Sequence, residues 1–236
     1  MDTDQTKDES VFIRENPCTV FMQALEKLLA QKERKIISDL TTPFKIQAFL
    51  DEAPYSSEDR YRCPLTFLRD RTGHCFDGAV FACALLRRLG HRPLLLDMLP
   101  NKRDDDHMLA LYKRDGHWGA IAKSNFSGLR FREPVYRTVR ELVMSYFEGY
   151  YNSAGEKTLR GYTTPLNLSR FDKFEWLTRD ETMDRIADRL GEIRQFKAVT
   201  PQMVKALSPM DKRAYEAGMM GVNWEGLYQP PSAAHT

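Results

Sequence analysis

Cys75 is the residue whose type and position best fit nucleophilic chemistry. It lies at the start of a helix predicted over residues 76–89. Gly73 gives the segment before the helix flexibility, and Gly90 ends the helix. The first turn of a helix has unpaired N–H groups and the positive end of the dipole, and both favour an anion. Beside a cation, such a position lowers a thiol pKa from about 8.5 to about 3.5–7.5. Cys75 is therefore either a thiolate nucleophile or, as free cysteines usually are, a small core residue.

A cysteine nucleophile needs a base, and His107 begins the apolar segment that leads to the Asp115-Gly116 pair. Asp-Gly between two such segments is typical of a hairpin with a type I′ turn. A two-residue loop places Ser124 opposite His107, and a one-residue bulge places Asn125 there instead. Either side chain would orient the imidazole. Asn125 is the better candidate chemically, because its amide oxygen accepts from a ring N–H.

Asp104, Asp105 and Asp106 directly precede His107. Three consecutive residues rarely converge on one ion, and no second His or Cys cluster has ligand spacing. We therefore predict no metal and no other cofactor. A polar rim is the better interpretation, with a field that favours protonation of a nearby imidazole. Asp97, in the preceding strand, is a less favoured acid for the site.

The elements that would position these residues form an α+β arrangement. Residues 79–86 of the Cys75 helix are apolar on every side, which predicts a buried helix. Strand-like segments follow at 92–99, 107–113 and 117–124. The last third favours helices, so we predict a helix-then-sheet core with a helical C-terminal appendage. The predicted divisions are a disordered N-terminus at 1–10, a domain at 11–159, the appendage at 160–228 and a tail at 229–236.

Composition excludes several classes of function. The chain of 236 residues has 35 basic and 33 acidic side chains, interspersed, so a nucleic-acid partner is not expected. The longest apolar run, residues 79–86, is far shorter than the about 20 residues that span a membrane. The polar N-terminus lacks a signal-peptide pattern and four cysteines do not make a disulfide framework. A cytoplasmic location is the expectation.

Two segments, GHCFDGAVFACALLRRLGHRPLLLD (73–97) and DDDHMLALYKRDGHWGAIAKSN (104–125), resemble the transglutaminase-like superfamily. In that family a cysteine opens the core helix, an LRxLG segment ends it, a histidine starts a strand, and a strand with tryptophan leads to an aspartate. Cys75, the segment 86–90, His107 and Trp118 match in order. The resemblance implies a papain-type Cys-His-Asp core, with the Cys-bearing helix packed on a small antiparallel sheet. This chain has Ser124 and Asn125 near the expected aspartate.

The resemblance implies a thiol acyl-transfer enzyme that acts on peptide or protein amides through a Cys75 thioester. Water as acceptor would make a cysteine peptidase or amidase, and an amine would make a transglutaminase or acyltransferase. The missing aspartate favours an alternative, a catalytically inactive module that binds a peptide or partner protein. Acyl transfer to arylamines from a thioester cofactor is a third possibility, because it would use the same triad.

Overall fold

A computed structural model describes residues 25–230 of the chain. The predictions for residues 1–10, and for most of the tail at 229–236, lie outside the described residues. Cys18 does too.

The fold is a mixed arrangement of helices around one antiparallel sheet. In the described part of the chain the sheet has seven strands, and its main order is β4-β3-β2-β1-β5-β7 with β6 also paired to β1. The strands are β1 (Leu94–Pro100), β2 (His107–Arg114), β3 (His117–Ile121), β4 (Arg132–Tyr136), β5 (Leu159–Thr163), β6 (Leu166–Asn167) and β7 (Gln195–Lys197).

Eight helices accompany the sheet within residues 31–218. They are α1 (Gln31–Asp39), α2 (Pro43–Glu52), α3 (Pro64–Asp70), α4 (Cys75–Arg88), α5 (Val139–Met144), α6 (Glu181–Glu192), α7 (Pro201–Lys205) and α8 (Lys212–Gly218). Short 3-10 turns lie at Ser127–Leu129, Phe147–Gly149, Leu168–Phe174 and Trp224–Gly226. None of the helices in the described residues is both long and apolar enough to cross a membrane.

The α4 helix is buried along its length, as its sequence predicts. All of its residues except Arg88 are buried, and it packs on β2, α2 and α3. Gly90 follows with φ +89°, a left-handed conformation that glycine adopts without a Cβ clash. This burial fixes the start of α4, and with it Cys75, relative to the sheet.

The hairpin forms with the predicted turn. Arg114 pairs with His117, and Asp115 and Gly116 both have positive φ, as a type I′ turn requires. The pairing, however, stops at Ala110 and Ile121. Residues 122–125 leave the ladder, so the cross-strand neighbours predicted for His107 are not formed.

The two faces of the sheet belong to different hydrophobic clusters. Met108, Ala110 and Tyr112 of β2 share the cluster of Cys75 and α4. Leu109 and Leu111 lie in the other cluster, with Tyr146 and Tyr150. Alternate residues of a strand point to opposite faces, so the parity of a residue in β2 decides which cluster it faces.

The C-terminal third differs from the predicted helical appendage. Residue 160 lies inside β5, which pairs with β1 on one side and β7 on the other. The helices α6, α7 and α8 are present, but strands are interleaved with them. The strands β5, β6 and β7 are two to five residues long. Segments this short have too few alternations for a sequence pattern to reveal.

Candidate active site

Cys75 is the first residue of α4, as the sequence predicts. Asp77, two residues on, is fully buried and accepts from the backbone N–H groups of His74 at 3.2 Å and Arg62 at 2.7 Å. These bonds satisfy donors at the helix start and tie the preceding loop to it. The buried guanidinium of Arg62 lies 3.3 Å from the same carboxylate and also pairs with Asp70. The start of α4 is therefore rigidly held.

A cleft of about 610 Å³ opens beside the thiol. Its walls come from the loop before α3, the start of α4, the ends of β1 and β2, α6 and the C-terminal segment. Its lining includes Tyr55, Tyr61, Cys75, Asp97, Asp105 and Asp106. The Cys75 side chain is 6% exposed, so it touches the cleft through a small part of its surface.

Three aspartates in this cleft form what we call the carboxylate cluster: Asp97, Asp105 and Asp106. Asp105 and Asp106 are exposed at its edge, whereas Asp97 is buried at its base. Burial, together with the charges of Asp106 and Asp105, raises the pKa of Asp97 to about 8. Desolvation and Asp105 raise the pKa of Asp106 to about 7. Both carboxyl groups therefore titrate near neutral pH, and this pattern is frequent at functional sites.

The thiol of Cys75 is protonated in this environment. Burial raises the pKa of Cys75 well above its usual range, and the charges of Asp106 and Asp105 raise it further. The sulfur donates weakly to the carbonyl oxygen of Asp106 at 3.9 Å. The expected lowering of this pKa by the helix start is outweighed by burial and by the neighbouring negative charges.

Tyr55 lies against the thiol and was not identified from the sequence. Burial raises the pKa of Tyr55 well above its usual range, and the charge of Asp105 raises it further. Its backbone is held by a bridge to Gly73, and Ser56 N–H donates to the Gly73 carbonyl at 3.1 Å. A protonated hydroxyl at this position is a potential hydrogen-bond donor to a substrate oxygen.

His107 lies on the other face of the sheet. It pairs with Met98 in the β1–β2 ladder, and its Nε2 is 2.8 Å from the carbonyl oxygen of Leu129. Its ring contacts Tyr150 edge to face at 6.5 Å between centroids. Burial lowers the pKa of His107 to about 4. Within residues 25–230 no hydrogen bond or ion pair joins His107 to Cys75, although His107 lines a small pocket with Tyr55 and Asp106, which also line the cleft of Cys75.

Ser124 and Asn125 have other partners too. The Ser124 hydroxyl accepts from the backbone N–H of Phe126 at 3.0 Å. The Asn125 amide oxygen accepts from Asn223 N–H at 2.8 Å, and its amide nitrogen donates to the carbonyl oxygens of Asn223 at 2.9 Å and Gly226 at 3.4 Å. Asn125 thus clamps residues 221–228, which we call the C-terminal strap. A catalytic role for Cys75, His107, Ser124 and Asn125 stays a prediction.

The strap forms one side of the cleft. Asn223 donates from its side chain to the Tyr55 carbonyl oxygen at 2.9 Å. Leu227 and Tyr228 line the cleft itself. No short-range pattern in the sequence indicates this contact, because Asn125 and Asn223 are 98 positions apart.

No other cysteine in the described residues matches the setting of Cys75. Cys63 and Cys83 are fully buried, and burial raises the pKa of Cys63 to about 11 and that of Cys83 further. In the part of the chain that the structure describes, no group of three or more His, Cys, Asp or Glu side chains is arranged to hold a metal ion.

Comparisons with known proteins gave distant structural similarity alone. No protein-family model matches the chain, and no curated protein matches it. Legionella pneumophila LapG, EGTA-treated, is similar to it at 15% identity with a TM-score of 0.37, covering 72% of this chain and 97% of that one. A second structure of Legionella pneumophila LapG has 15% identity and a TM-score of 0.38, covering 70% and 95%. Scores this low do not establish a common fold.

Proposed function

We propose that this chain is a transglutaminase-like thiol acyl-transfer enzyme that acts on amide substrates through Cys75. The proposal depends on one observation: a cysteine at the start of a buried helix opens on a cleft whose carboxyl groups titrate near neutral pH. A nucleophile and proton-transferring groups are the minimum that acyl transfer requires.

In the reaction, the sulfur of Cys75 forms a bond to the amide carbon while the thiol proton passes to a carboxylate of the cluster. The Asp106 carboxylate is the first candidate, because its charge acts on the Cys75 thiol more strongly than any other. The C–N bond then breaks, and the amine leaves with that proton. Water cleaves the thioester and restores the thiol, which gives a peptidase or amidase; an amine acceptor would give a transferase.

The oxygen that becomes negative in this step needs donors. The candidate donors are the backbone N–H of Cys75, at the first position of α4, and the hydroxyl of Tyr55, which lies against the thiol. Preorganised donors of this kind each contribute about 100- to 1,000-fold in rate in known hydrolases.

The test is detection of an acyl-enzyme. The chain is incubated with a mixed peptide library at pH 6–9, and intact-mass spectrometry follows adducts while peptide products are sequenced. We expect an acyl adduct on Cys75 and its loss in Cys75→Ala. Cys83→Ala, which changes a buried cysteine on the same helix, is the matched control and should retain both adduct and products.

The position of His107 favours a second candidate, an inactive module that binds a peptide in the cleft. A Cys-His pair cannot act while the imidazole is held by the Leu129 carbonyl on the opposite face. Stable complexes with library peptides, without any adduct or product in the wild-type chain, would support this candidate over the enzyme.

A further inference from the structure

We propose that the carboxylate cluster binds a positively charged side chain of the substrate, an ammonium or guanidinium group on an aliphatic stem, as in lysine or arginine. The inference rests on the proposed function, because it specifies the substrate of the same cleft. It nevertheless concerns binding alone, so it can be tested when no chemistry occurs.

The strongest indication is an unsatisfied buried acceptor. Asp97 is 5% exposed and lines the cleft, and its Oδ1 has no hydrogen-bond partner among the described residues. The neighbouring Thr163 hydroxyl accepts from the Asp97 N–H at 3.0 Å and makes no bond to Oδ1. Buried polar atoms in folded proteins almost always have a partner, and an orphan that faces a cleft indicates a missing donor. An ammonium or guanidinium group is such a donor.

The charges around the cleft agree with a cationic ligand. Six acidic residues line it, Glu58, Asp59, Asp97, Asp105, Asp106 and Glu225, whereas no Lys or Arg is among its described lining residues. Asp97, Asp105 and Asp106 make no ion pair with a Lys, Arg or His side chain anywhere in residues 25–230. A cleft lined by one sign of charge attracts ligands of the opposite sign and discriminates against the same sign.

The neutral part of the cleft suits an aliphatic stem rather than a bare ion. Leu99, Met108 and Leu190 line it near the cluster, and Tyr61 packs on Phe76 at 4.5 Å between ring centroids. Long basic side chains bury their methylene groups on such surfaces while the charged end meets a polar group. Bare metal ions are a poorer match, because the described carboxylates do not converge as a metal site.

Binding of a cation would also change the nucleophile. Asp106 and Asp105 now oppose ionisation of the Cys75 thiol. A positive charge held between these carboxylates and the sulfur would offset their field and lower the pKa of Cys75. The substrate would thereby activate the residue that attacks it, and a ligand without the charge would not.

The experiment measures binding to the Cys75→Ala chain by isothermal titration calorimetry. The probes are the Nα-acetyl methylamides of lysine and arginine, the uncharged norleucine analogue, and the free amine cadaverine. We expect the lysine or arginine probe to bind at least about tenfold more tightly than norleucine, as a charge-assisted hydrogen bond provides. Cadaverine binding as tightly as the lysine probe would identify a free amine, rather than a side chain, as the source of the charge.

Three variants locate the site. Asp97→Asn and Asp106→Asn keep the side-chain shape and should each weaken binding of the cationic probes by about tenfold or more. Asp115→Asn removes the same formal charge from the exposed hairpin turn and should leave binding unchanged. A bound cation should favour the ionised forms of Asp97 and Asp106, so binding should release a proton from these carboxyl groups to the buffer. The heat at pH 7 should therefore vary with the ionisation enthalpy of the buffer for the cationic probes alone.

Equal binding of the lysine and norleucine probes would overturn the inference, as would undiminished cation binding in both Asp97→Asn and Asp106→Asn. If Asp97→Asn does not fold, Asp106→Asn and the proton release still decide the question. Failure of the proposed function has a different signature: cationic probes bind the cleft, but the wild-type chain forms no acyl adduct on Cys75.

Discussion

Asp106 and His107 are neighbours in the chain, yet they stand in opposite chemical environments. Asp106 borders an open acidic cleft in which the pKa values of Asp97 and Asp106 are raised toward neutrality. His107 is enclosed on the other face of the sheet, where burial lowers its pKa to about 4. Carboxylates therefore collect in the cleft, whereas burial and the nearby charge of Arg132 keep the imidazole of His107 neutral on the other side. The comparison teaches that residues adjacent in the chain can join different chemistry, because β2 begins at His107 and the His107 side chain takes the face opposite to that of Met108.

The largest expected effect is on stability and comes from substitution of the buried Arg62. Arg62→Ala removes a buried guanidinium that pairs with Asp77 and Asp70, so that among the described residues the buried Asp77 keeps only His74 as an ionic partner. We expect a loss of about 3–5 kcal/mol in the free energy of unfolding, measured by urea denaturation. Arg60→Ala, on the half-exposed neighbour, should cost less than about 1 kcal/mol. Equal losses would contradict a special role for the buried pair.

The charge of the acidic face can be removed at Asp97. Its pKa is raised in the folded chain by burial and then by Asp106 and Asp105, and Cys75 and Tyr150 face the same field. The folded state therefore holds a proton that the unfolded state releases above about pH 4, so stability falls as the pH rises to about 8. Asp97→Asn should be more stable than wild type at pH 9 and equal to it near pH 3, as urea denaturation at the two pH values would show. If Asp97→Asn is less stable than wild type at pH 9, the carboxylate of Asp97 is not an unpaired charge in the folded chain.

His107, on the opposite face of the sheet, gives stability the opposite dependence on pH. The pKa of His107 is lowered in the folded chain, so the unfolded chain binds a proton first and stability is lost as the pH falls from about 6.5 to about 4. We expect this residue to account for about 3 kcal/mol of that loss. His107→Gln should flatten the thermal-melting profile in that range, whereas His117→Gln, on the hairpin turn, should leave it unchanged.

The smallest expected effect is at the clamp that holds the strap. Asn125→Ala removes the bonds to Asn223 and Gly226 and should cost about 1 kcal/mol. Because the strap lines the cleft, iodoacetamide should then label Cys75 faster than in wild type. The rate of labelling is measured at pH 9 by peptide mapping. Ser127→Ala, which loses one exposed bond to Ala217, is the control. Unchanged labelling would mean that the strap does not limit access.

The sequence predicted the features that depend on local signals. The apolar α4, its stop at Gly90 and the turn at Asp115-Gly116 are each encoded within a few residues. The face of His107 was not predictable, because it depends on the register of β2 against β1 and on where the pairing with β3 ends. Asn125 was singled out for its chemistry, but its partners lie 98 and 101 positions away, beyond any local pattern.

The asparagine clamp also has a practical meaning for anyone who handles this protein. The strap brings the chain past Cys75 shortly before the described residues end, because Leu227 and Tyr228 line the same cleft. A peptide tag appended at that end would start close to the cleft and would compete with a substrate for it. A histidine-rich tag would also be attracted to the carboxylate cluster. Kinetic measurements on material tagged at that end should be repeated after the tag is cleaved.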